Sequence, residues 1–120
     1  MFELREIHRA IGELAYVIAK ASKGLSLEEK KAFMEIVEAE LSMDAWAAES
    51  RFEILDEKLH PSIDHAYNEA IHEFKLYKSH LTPELKKKTL TVARKVAEVC
   101  GKTEMEEFIL DRLERDLNTL

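Results

Sequence analysis

The residues best spaced for chemistry lie in "HAYNEAIHEF", where His65, Glu69 and His72 fall at i, i+4 and i+7. On a helix this spacing brings the three within about 60° of one another. Two imidazoles and a carboxylate on one face form a donor set suited to zinc or iron. The same periodicity sets them opposite Ile63, Tyr67, Ala70 and Phe74, so the trio is expected to face outward rather than into a dry, supported pocket. Glu57-x-x-His60 and Glu69-x-x-His72 each match the Glu-x-x-His element of di-iron bundles. Those sites project inward from separate long helices, whereas these two elements sit close together across Pro61. Cys100 falls at a predicted helix C-terminus, where the helix dipole disfavours a thiolate, so it makes a poor nucleophile. The chain has no Gly-rich phosphate loop, Ser-His-Asp pattern or zinc-finger spacing. Many Glu and Asp residues are present, but no pair of them sits predictably on an apolar face where burial would shift a titration.

The framework that positions these residues is helical. With 3 Gly and 2 Pro in 120 residues there are few turns, which disfavours a β-rich fold. Apolar residues make up 46% and charged residues 35%, a globular balance. A net charge of -6 argues against nucleic-acid binding, which needs a basic face, and Lys86-Lys87-Lys88 is too short a run to reverse that. No apolar run approaches the ~20 residues of a membrane span. The N-terminus lacks an apolar signal core and the single cysteine can form no internal disulfide, so a cytoplasmic location is expected.

Periodicity and punctuation predict an all-α, compact single-domain bundle of about six helices over residues 1–120. The first helix spans Phe2 to Ser22 with a seam of Leu4, Ile7, Ile11, Leu14 and Ile18. Gly12 inside it implies close approach of a neighbouring helix. Ser26 and Glu29 form a capping box for the second helix, whose stripe is Phe33, Ile36, Val37 and Leu41. Asp44 caps a third, with Ala48, Phe52, Leu55 and Leu59 inward and Pro61 beyond its end. The fourth starts at Pro61 or Ser62. Thr82-Pro83 caps the fifth, which is apolar on several sides and is expected to be the most buried. Thr103 and Glu106 cap the sixth, where Ile109, Leu113 and Leu117 face inward. Trp46 reads as core, and His8 and His80 as surface residues.

Both ends of the chain carry a similar hairpin. "ELAYVIAKASKG" and "LTVARKVAEVCG" each end an Ala/Val-rich helix at a glycine. At one constant offset Gly24 meets Gly101, Ser26 meets Thr103 and Glu29 meets Glu106. Glycine can take the left-handed conformation that stops a helix, and the hydroxyl and glutamate satisfy the free N–H groups of the next. With "AKASKGLSLEE" and "AEVCGKTEMEE", the chain resembles the tellurite-resistance TerB-like family, whose motif is similar to A-x-A-D-G-x-x-S-x-x-E in each half. The resemblance covers nearly the whole length. It implies that fold, and divalent-cation binding through acids at the helix starts. Where the motif carries aspartate this chain has Ser22 in the first half and Val99 or Cys100 in the second. The acids left are Glu28, Glu29, Glu106 and Glu107.

Two functions are therefore expected. The first is a non-catalytic intracellular module, without cofactor, that binds another protein or a second copy of itself in the stress-response setting the resemblance implies. Some TerB-like domains are appended to DnaJ-type co-chaperones, an analogy that fits docking. The alternative is a divalent-metal-binding protein using His65, Glu69 and His72, or the acidic helix starts.

Overall fold

In the computed structural model, which describes residues 2–22, 26–101 and 103–120, α1 (Phe2–Ala21) is the central element. From Ile7 to Ala19 nearly every side of it is covered, by α3, α4, α5 and α6. The expectation that the fifth helix would be most buried is therefore corrected. Ala10, Gly12, Ala15 and Ala19 give α1 a thin profile that neighbours can approach from several directions. α5 (Pro83–Cys100) instead turns Lys87, Arg94 and Lys95 to solvent and buries one face, including Val92, Ala93, Val96 and Ala97. Gly12 is where α3 comes closest, since a Cβ added there would collide with the Ala48 carbonyl.

α2 (Leu27–Leu41) starts on the expected capping box: Glu29 N–H donates to Ser26 Oγ and Ser26 N–H to Glu29 Oε1. Phe33, Val37 and Leu41 are buried, with Phe33 against Phe52 of α3 at 4.4 Å between ring centroids. Phe33 anchors one side of the core. α2 then runs into α3 (Ala45–Ile54) through a 3-10 turn at Ser42–Asp44, without a loop. With α2 and α3 counted as one segment bent at Ser42, which takes φ 54°, the helical segments of the described residues number five rather than about six. Asp44 makes no capping hydrogen bond; its carboxylate lies 3.7 Å from His8 Nε2.

A π-turn at Leu55–Leu59 ends this segment, closing with His60 N–H to Leu55 C=O and His60 at φ 47°. A wider turn shifts the register of the side chains that follow. Leu59, expected in the buried stripe, is 61% exposed as a result. Tyr16 reaches from α1 to donate to Pro61 C=O at 2.7 Å, fixing the exit from this turn. α4 (Ile63–Leu76) is capped by Ser62 and buries Ala66, Tyr67, Ala70, Ile71 and Phe74. α5 is capped by Thr82 with Pro83 in its first turn, and stops at Gly101, φ 97°. α6 (Glu104–Asn118) has the second capping box, Thr103 with Glu106, and buries Ile109, Leu110, Leu113 and Leu117.

The described residues are helical with no strand, and the Cα radius of gyration is 12.7 Å, close to the ~13–14 Å of a compact chain this long. Among them no helix is long and apolar enough to cross a membrane. Gly24, the expected stop of the first hairpin, lies outside the described residues.

Candidate functional site

α4 carries the sequence-predicted trio and separates it. His65 and Glu69 meet, His65 Nε2 to Glu69 Oε2 at 3.2 Å, on the exposed side of the helix. The other oxygen of Glu69 accepts from Arg51 Nη2 at 2.9 Å, which ties α4 to α3. His72 is exposed and lines a different surface concavity of about 340 Å³, beside Asn68, Lys75 and Arg112. Of the acids at the helix starts, Glu28 and Glu107 are exposed. Glu29 is held below the usual carboxylate range by the Ser26 backbone N–H that it caps. Glu106 is fully buried, with Oε1 accepting from Thr103 N–H at 2.8 Å. Among the described residues no group of three or more His, Cys, Asp or Glu is arranged to hold a metal ion.

Cys100 is half-buried where the ends of α1 and α5 meet. Burial pushes its thiol up, Ser22 opposes this by a hydrogen bond, and the Glu106 and Glu29 carboxylates add to the rise. A thiol held protonated is a weak nucleophile. The two capped helix starts and two helix ends therefore converge around one unreactive sulfur.

The most organised polar site was not foreseen. Glu13 of α1, singled out by no motif in the sequence, is 2% exposed. Its Oε1 lies 3.7 Å from Arg51 Nε, and its Oε2 has no hydrogen-bond partner among the described residues. It lines a crevice of about 60 Å³ with Glu6, Arg9, Arg51, Glu69 and Glu73. Burial, then the Glu69 charge, pushes the Glu13 carboxyl up to about 7, and Arg51 opposes the rise only in part. The available sequence signal was that Glu13 is the one charged residue between Ala10 and Ala19, inside an otherwise apolar run. Arg51 comes from α3 and Glu69 from α4, so no local pattern announces the cluster.

Two further placements differ from expectation. His8 is buried rather than exposed, donating from Nδ1 to Leu4 C=O at 2.7 Å. Its position one turn from Leu4 lets the ring fold back along α1, under the 3-10 turn that brings Asp44. Trp46 is 56% exposed rather than core, because that turn rotates the start of α3 and leaves Ala45, Ala47 and Ala48 to pack inward. The Arg5 guanidinium lies 5.5 Å from the Trp46 ring centroid. Leu4, Arg5, Met43 and Trp46 surround a concavity of about 250 Å³, and Met43 is 89% exposed. On the other side of the first turn of α1, Phe2 packs edge-on against Tyr77 at 6.1 Å.

Comparison of the chain with protein-family models, with curated proteins and with solved structures gives no match.

Proposed function

We propose that this chain is a non-catalytic, TerB-like helical module that binds a partner protein through the surface around Trp46. The observation that carries the reading is the grouping of Trp46, Met43 and Arg5 at the edge between α1 and α3. Trp, Met and Arg are the residue types enriched in protein interfaces, and Trp and Arg supply most hot spots. Here a large apolar pair stands beside a cation on a chain of net charge -6. Asp44 lines the same concavity, its carboxylate 3.7 Å from His8 Nε2, so the rim carries a cation and a carboxylate beside the apolar pair. The partner is one that inserts an apolar side chain between Met43 and Trp46 and sets a carboxylate on Arg5. A second copy is disfavoured, since each copy brings the same negative charge.

The paired capped helix starts support the TerB-like part of the reading, as does their convergence on Cys100. The metal alternative is weakened because Glu69 is already committed to Arg51 and His65.

The test is recovery of a stoichiometric partner from the native host with the tagged chain, compared with a Met43→Ala, Trp46→Ala double variant of unchanged thermal stability. Purified partner should bind the variant at least ~30-fold more weakly, the loss of two anchors. Equal binding by the variant, or self-association as the only interaction that these residues control, overturns the proposal.

A further inference from the structure

Glu13 is a buried acid that neither the fold nor the proposed interaction uses. An ionised carboxylate at 2% exposure with one oxygen unpartnered is costly, because desolvation is repaid only by well-formed partners. Each element packed against it contributes charge. From α1 come Glu6 and Arg9, which pair with each other at 3.4 Å. From α3 comes Arg51, shared between Glu13 at 3.7 Å and Glu69 at 2.9 Å. From α4 come Glu69, whose outer oxygen meets His65, and Glu73. Four carboxylates thus share two guanidiniums, and the closer contact of Arg51 is to Glu69. Glu13 lines a small, mostly polar crevice together with Glu69 and Glu73 of α4, and its Oε2 is buried without a partner among the described residues.

We propose that this crevice is a proton-binding switch: with a proton on Glu13 it holds α4 and α3 against α1, and with Glu13 ionised it loosens that junction. The protonated acid has a hydroxyl to offer the carboxylates of α4, and it removes one negative charge from beside Glu69 and Glu73. The ionised form repels both and has a single long contact to Arg51. Gly12 sets α1 directly on the α3 backbone one residue away, so loosening at Glu13 reaches that close helix contact. A carboxyl raised to about 7 changes state across the neutral range.

The direct test is a carbon-13 NMR titration of the Glu13 side-chain carboxyl in the whole chain, with amide exchange followed at pH 5.5 and 8. A titration midpoint above 6 is expected. After correction for intrinsic rates, amides of α1 and α4 near Glu13 and Glu69 should exchange at least tenfold faster at pH 8. Glu13→Gln mimics the protonated form and should abolish that difference, and Glu73→Gln should lower the midpoint in an otherwise wild-type chain. His65→Gln separates the pair on the outer side of Glu69 and should leave the Glu13 midpoint within half a pH unit. A Glu13 carboxyl that titrates below pH 5, or exchange rates with the same pH dependence in wild type and Glu13→Gln, overturns the proposal. If Glu13→Gln fails to fold, the wild-type titration and Glu73→Gln still decide it.

Discussion

Gly12 and Glu13 are neighbours in sequence, yet only one of them was legible. A glycine inside a strongly periodic helix has few explanations other than close approach, and the Ala48 carbonyl supplies it. Gly12→Ala should gain about 1 kcal/mol of helix propensity and lose more than that to overpacking against backbone. A net loss of about 2 kcal/mol is expected, read from the urea midpoint at unchanged slope. Glu13 escaped notice because its partners are remote: Arg51, Glu69 and Glu73 meet it only once three helices have packed. The direction of its pH effect follows from linkage. A carboxyl whose folded value is about 7 against an ordinary 4.5 binds its proton more tightly when folded. Stability from this group is therefore full below about 4.5 and is lost as pH rises toward 7. The complete shift is worth at most roughly 3 kcal/mol. Urea unfolding at pH 5 and pH 8 should show that fall in wild type and little of it in Glu13→Gln.

The helix starts were readable because capping is local. Ser26, Thr82 and Thr103, the expected caps, each accept a hydrogen bond from the backbone three residues on, and so does Ser62, one of the two starts expected for the fourth helix. Thr103→Ala should cost about 1 kcal/mol, measured by thermal unfolding against Ser26→Ala. The cost should be larger in α6, where the N–H that donates to Thr103 Oγ1 belongs to the fully buried Glu106. At Gly101 the φ of 97° is open to glycine and strained for alanine, although a Cβ there meets nothing. Gly101→Ala should therefore cost about 1–2 kcal/mol through backbone strain alone. What local pattern could not give was the path between elements. The 3-10 turn that exposes Trp46 and the π-turn that exposes Leu59 contain neither glycine nor proline. Ser42 and His60 adopt positive φ without announcing it in sequence.

At the scale of the molecule, the all-α class and the core stripes of α2, α4 and α6 followed from period, while the identity of the central helix did not. Amphipathicity ranks faces within a helix, but the number of neighbours is set by topology, which made α1 rather than α5 the pillar. The same packing takes Glu69 into the Arg51 pair and leaves His72 beside Lys75 and Arg112. Thermal melts in zinc, calcium and chelator should accordingly agree within ~1 °C, where saturation of a specific site at a hundred times its Kd would add about 2.7 kcal/mol and several degrees.

The central position of α1 has a consequence for biosynthesis. This helix leaves the ribosome before every helix that covers it, and of these α6 is made after α3, α4 and α5. Its greasy flanks gain their cognate cover from α3, α4 and α5 in turn, so the nascent polypeptide must stay shielded or only loosely collapsed until those helices have emerged.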